Sequence, residues 1–180
     1  MKISLSGITG DSIVDGPGIR LTIFTQGCPH HCPGCHNPQT HDPNGGSWGD
    51  TDDIIAAMAE NPLLDGITLS GGDPFMQPKE CTELAKGAHR CGLNVWTYTG
   101  YTWEALFEEN DPDKIALVQE SDVLIDGPFI MAERSLELQF RGSRNQRIID
   151  VKKSLTAGEI VLWEEYKFEL PEGPQSFGNL

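Results

Sequence analysis

Long apolar runs, paired cysteines and basic clusters are all missing from this sequence, and each absence excludes a class of protein. No run approaches the roughly 20 apolar residues that a bilayer span needs. The stretch from Met1 to Gly10 is too polar for the apolar region of a secretory signal. The cytoplasm is therefore the expected location, with no membrane partner. Lys and Arg number 13 against 27 Asp and Glu, a formal net charge of −14. A surface that acidic repels phosphate backbones, so no nucleic-acid partner is expected. Cysteines number 5, an odd count, and three of them crowd into residues 28–35. That is not a disulfide framework, and a cytosolic chain would not carry one. Crowded thiols in a reducing compartment point to metal instead. There is no internal repeat and no low-complexity segment.

What is present has an ordinary globular balance, and 180 residues suit one domain with one core. Residues 1–170 read as that domain. Residues 171–180 have little to bury and read as a frayed tail. Ile19 to Thr25 alternates Ile19, Leu21 and Ile23 with Arg20, Thr22 and Phe24, the period of a strand. A long loop rich in Pro, Gly, His and Asn follows to about Gly49. A helix is expected from Thr51 to Glu60, capped by Asp50 or Thr51 and stopped at Asn61-Pro62.

Gly66 to Leu69 reads as a strand, and Pro78 opens a helix that Gly92 ends. On that helix Cys81, Leu84, Ala85 and Ala88 form a core-facing stripe. Strands are expected at 93–98 and 122–125, helices at 102–109 and 113–119, and a last strand at 148–151. Strand–helix alternation implies parallel strands with right-handed crossovers. The units are too few for a closed barrel, so the expected fold is α/β: a partial, open (β/α) barrel with mostly parallel strands. The loops after four strands should then share one face. These are the cysteine loop, Gly71-Gly72-Asp73, Thr99-Gly100 and Asp126-Gly127-Pro128.

The cysteine loop reads Cys28-Pro-His-His-Cys32-Pro-Gly-Cys35-His36-Asn37. Three thiolates on so short a loop can converge on one centre. A [4Fe–4S] cluster takes four cysteines, and no local fourth exists, which would leave one iron open. The competing reading is a Cys3His zinc site with His30, His31, His36 or His41 as fourth ligand. Cys81 and Cys91 are poor fourth ligands. Ten helical residues hold them about 15 Å apart, and Cys81 lies on the apolar stripe as a small hydrophobe.

A Cx3Cx2C loop after one strand and a Gly-Gly-acid loop after the next resemble the radical S-adenosylmethionine (SAM) superfamily. Val14-Asp15-Gly16-Pro17-Gly18-Ile19-Arg20 and Asn37 resemble the activases of glycyl radical enzymes. Residues 96–101, 124–129 and 141–146 narrow the resemblance to the branch serving class III (anaerobic) ribonucleotide reductase. The likeness covers roughly residues 10 to 150. It implies one [4Fe–4S] cluster on Cys28, Cys32 and Cys35, with SAM on the open iron. Gly71, Gly72 and Asp73 would receive the SAM ammonium group. Most of the superfamily carries an aromatic residue before the third cysteine. Here it is Gly34, so adenine contact would fall to the backbone there or to His36. The acid is Asp73 rather than the commoner Glu, as in that branch, and Arg144 stands where a serine is expected.

The same resemblance implies a chemistry. Flavodoxin or ferredoxin supplies an electron, the C5′–S bond of SAM breaks, and a 5′-deoxyadenosyl radical takes a hydrogen from a glycine of a large glycyl radical subunit. No conventional acid–base side chain is required. Activation of a different glycyl radical enzyme, or a non-catalytic zinc module, are the competing functions. Asp15-Gly16-Pro17-Gly18 reads either as a slot for the partner's glycine loop or as a plain turn. Arg141, Arg144 and Arg147 read as docking residues or as surface ion pairs. Trp48, Trp96, Trp103 and Trp163 read as packing.

Overall fold

Residues 1–164 are described by a computed structural model. The strands are β1 (Lys2–Ser12), β2 (Arg20–Thr25), β3 (Ser47–Asp50), β4 (Gly66–Gly71), β5 (Asn94–Tyr98), β6 (Val123–Asp126) and β7 (Arg147–Asp150). The helices are α1 (Thr51–Glu60), α2 (Pro78–Arg90), α3 (Trp103–Glu109), α4 (Pro112–Glu120) and α5 (Val151–Ala157). The expected tail at 171–180 and the end of the expected domain lie outside the described residues.

All the strands join one 7-stranded sheet in the order β3-β1-β2-β4-β5-β6-β7. The centre, β2-β4-β5-β6, is parallel. The flanks are antiparallel, with β1 between β2 and β3, and β7 against β6. The expectation of mostly parallel strands therefore holds for the centre and is corrected at the edges. The reason is connection length: residues 13–19 are too few for a crossover, so β1 must pair antiparallel with β2. The sheet is α/β and open, with β3 and β7 as its edges.

The period-2 pattern divides the two faces. Ile23, Ile67, Leu69, Val95 and Leu124 point into the main core, with Ile54 and Met58 of α1, Leu84 and Ala88 of α2, Leu106 of α3 and Leu117 of α4. The α2 stripe Cys81, Leu84, Ala85 and Ala88 is fully buried there, and burial pushes the Cys81 thiol far up. The alternate residues Arg20, Thr22, Thr68, Trp96 and Tyr98 take the opposite face. A smaller apolar cluster of Trp96, Val123 and Ile125 closes one side of that second face, joined by Phe140 and Trp163.

Capping follows the sequence signals. Asp50 accepts from Asp52 N at 3.1 Å and starts α1. Thr102 caps α3, and Gly92 follows α2 at φ +77. Three elements go beyond the sequence reading: β1, β3 and α5. Only Ile3 and Leu5 of β1 are buried apolar residues, and its Ser and Gly content masks the period. β3 has just four residues inside the long loop. The strand expected at 148–151 stops at Asp150, whose side chain accepts from Lys153 N and turns the chain into α5. No helix of the described residues is long and apolar enough to cross a membrane.

Candidate cluster and cofactor site

The loops after β2, β4, β5 and β6 do meet. They enclose a cavity of about 400 Å³ lined by Cys28, Cys32, Cys35, Gly71, Gly72, Thr99, Gly100, Gly127 and Phe129, among others. That volume falls in the usual range for small-molecule sites. The floor is the polar face of the sheet, through Phe24, Ser70 and Tyr98.

The cysteine loop is held from both sides. Gly27 N donates to Thr40 O at 2.8 Å, and Cys28 N to His41 O at 3.3 Å. Cys35 N closes a turn onto Cys32 O, and Asn37 N donates to Cys35 Sγ at 3.4 Å. All three cysteines are half-buried, and burial pushes the Cys28 thiol up. Among the described residues, no group of three His, Cys, Asp or Glu side chains converges as ligands of a single ion would. The three thiols do line one cavity, as the ligands of a shared centre must. Among the histidines offered as a fourth zinc ligand, His30 alone is paired through a ring nitrogen, and His41 Nε2 is buried without a hydrogen-bond partner. His30 Nε2 stands 2.7 Å from Asp73 Oδ2, His31 and His41 meet edge to face, and His36 packs on Phe129.

Glycine is required where the β4 loop crosses the cysteine loop. A Cβ on Gly72 would stand 2.2 Å from Gly27 O, and one on Gly71 (φ +103) 2.5 Å from Thr25 N. Gly71 and Gly72 therefore line the cavity at close backbone approach. The Asp73 carboxylate lies elsewhere: it is 0% exposed and does not line the cavity. It accepts from Phe75 N, Thr99 Oγ1 and Gly100 N and bonds His30. His36 lines the cavity. Gly34 (φ +74) is covered by Met131, whose Cε stands 1.9 Å from where its Cβ would be.

The 4Fe-4S single cluster domain family matches residues 14–149. The anaerobic ribonucleoside-triphosphate reductase-activating protein of Escherichia coli (strain K12) is 36% identical over 143 residues, 74% of this chain and 90% of that protein. The protein of the same name from Vibrio cholerae is 37% identical over 145 residues, 76% and 90% of the two chains. That of Enterobacteria phage T4 is 31% identical over 144 residues, 75% and 86%. The chain belongs to this activating-protein family.

Two segments for which the sequence reading left alternatives open line the cavity. Asp15 lines the cavity, with its carboxylate accepting from Ser12 Oγ at 2.6 Å and Thr22 Oγ1 at 3.0 Å. Arg20, 0% exposed, holds this loop down. It donates to Pro17 O at 3.1 Å and to Thr68 Oγ1 at 2.7 Å, and lies over Trp96 at 5.5 Å. Burial pulls its guanidinium down to about 10. The alternation of Arg20 with Ile19 and Leu21 was the signal for an inward cation. The second is the segment after β6. Phe129, Leu138, Phe140 and Arg141 line the cavity, and Arg141 also donates to Gln146 O. Arg147 instead pairs with Asp126 and Glu104, an ion pair at the end of the sheet. Trp96 and Trp163 pack edge to face, while Trp48 is 75% exposed.

Proposed function

We propose that this chain is a radical SAM oxidoreductase, the activase that places a glycyl radical on the large subunit of anaerobic ribonucleoside-triphosphate reductase. One observation carries the reading: three cysteines with no local fourth open into the same cavity as the close-approach glycines of the β4 loop. Cys28, Cys32 and Cys35 would hold a [4Fe–4S] cluster with one iron left open to SAM, and the reduced cluster would supply the one-electron chemistry that cleaves the C5′–S bond of SAM and removes a hydrogen from the partner's glycine.

The residues of this chain bind and shield. Cys28, Cys32 and Cys35 would hold the cluster, with flavodoxin or ferredoxin as the external source of its electron. Backbone groups of Gly71 and Gly72 approach the methionine end of SAM, which ordinary side chains there would block. Arg141 and Asp15 are the cation and the carboxylate that face the cavity among the described residues, and they suit a zwitterionic ligand. His36 on Phe129, 5.0 Å between ring centres, supplies an aromatic surface where Gly34 has none. The Asp15 loop borders the entry for the partner's glycine. A reducing cytoplasm suits such a partly open thiolate site.

The test is anaerobic reconstitution with iron and sulfide, then dithionite and SAM, with 5′-deoxyadenosine read by mass spectrometry. Addition of the reductase large subunit should give a glycyl radical signal in electron paramagnetic resonance. Nucleoside without that signal points to another glycyl radical partner. Stoichiometric zinc without nucleoside overturns the reading.

A further inference from the structure

We propose that His30 and Asp73 form one positioning pair that sets where Cys28 stands, and that the Asp73 carboxylate acts through the cysteine loop rather than by touching a ligand in the cavity. The proposal rests on the reading that Cys28 is a cluster ligand. An ionised carboxylate has about four acceptor positions. Those of Asp73 meet four groups: Phe75 N at 2.9 Å, Thr99 Oγ1 at 2.9 Å, Gly100 N at 3.0 Å and His30 Nε2 at 2.7 Å. The side chain is wholly buried and has no capacity left for an ammonium group.

Its hold on the cysteine loop is two-handed. The backbone N–H of Asp73 donates to Gly27 O at 2.8 Å, one residue before Cys28. The carboxylate takes His30, two residues after it. The His30 ring is fixed on its other sides as well. It sits against Gly100, where an added Cβ would stand 2.4 Å from His30 Cδ2. Tyr101 meets it edge-on at 4.6 Å, and Lys114 Nζ backs Tyr101 at 4.4 Å. Loops after β2, β4 and β5 are thus joined at one carboxylate, and Cys28 is the ligand it flanks. Groups that orient a ligand from behind commonly change metal affinity by about 10- to 100-fold when lost.

The experiment begins on the metal-free full chain. Iodoacetamide labelling followed by peptide mass spectrometry gives a separate rate for each cysteine. His30→Ala and Asp73→Asn should each raise the Cys28 rate by about tenfold, with Cys35 changed less than about twofold, and the double variant should go no faster than the faster single. Asp73→Asn keeps the shape of the side chain but removes the charge that His30 pairs with and the Oδ1 acceptor for Phe75 N, and His30→Gln offers a milder cut, so one variant can fail to fold without losing the test. In reconstituted protein the same variants should lose chelator-resistant iron about tenfold sooner, while SAM affinity of the fraction retaining cluster changes less than about threefold. Rates that multiply in the double variant, or all three cysteines speeding up together, overturn the pair. So does Asp73→Asn weakening SAM tenfold with Cys28 unchanged, which would mark a direct contact. Labelling needs neither iron nor SAM, so a wild type that fails to cleave SAM would sink the proposed function and leave this result standing.

Discussion

The two faces of the central sheet have different jobs, although the same strands supply both. On the helix-covered face, Ile23, Ile67, Leu69 and Val95 are fully buried among apolar neighbours. On the other face, one residue along, Thr22, Thr68 and Ser70 carry hydroxyls, Arg20 carries a buried charge, and the cavity begins. Parallel strands covered on both faces read as continuous apolar runs. β2 and β4 alternate, because only their helix-covered face is apolar core, whereas Val123 and Ile125 keep the second face apolar at β6. The difference teaches that stability and chemistry were assigned to alternate residues, so neighbouring substitutions should fail in different assays.

The sharpest break is on the cavity side. Cys32→Ser should lower bound iron by at least about tenfold after reconstitution, since no nearby thiol replaces it. Its circular dichroism and urea midpoint as metal-free protein should match wild type. Next is Leu69→Ala, expected to lower stability by about 3 kcal/mol in urea unfolding through the cavity it leaves. Iron per folded chain should stay unchanged; loss of iron there would mean the faces are not separable. One residue back, Thr68→Val removes the acceptor for Arg20 Nε and the donor to Asp15 O. A stability loss of about 2 kcal/mol is expected from the buried unpaired groups. Nucleoside formation should fall further than that implies, as the Asp15 loop loosens.

The smallest effect lies far from both faces. The Asp52 N–H and Lys2 hold the half-buried Asp50 carboxyl at about 2, below its ordinary 3.8. A carboxyl depressed on folding stabilises above its unfolded pKa, and that contribution is lost as pH falls through the folded value. The gap in stability between wild type and Asp50→Ala should therefore be constant above about pH 5 and close between about pH 4 and 2.

Much of this was legible because alternation, caps and glycines leave local marks. The α2 stripe, the Asp50 cap and the convergence of the strand-end loops were all readable. β1 was not, because its two buried apolar residues are diluted by Ser and Gly, and its pairing depends on residues far away in sequence. Nor was α5, where Asp150 serves as both last strand residue and cap. At the site, the cysteines and Gly71-Gly72 announced themselves by spacing. The carboxylate of Asp73 carried a sign but no address: only the fold reveals that four donors reach it first. Met131 and Phe129 sit nearly a hundred residues from Gly34 and His36, beyond any local signal.

Position 34 and residue 131 occupy a single volume. The loop before the third cysteine and the loop after β6 thus meet over one gap. A bulky ring transplanted to position 34 alone would collide with Met131 and would also have to adopt φ +74, which side chains resist. The half-exposed methionine tip can swing aside, so the left-handed backbone of position 34 is the firmer barrier to a ring there.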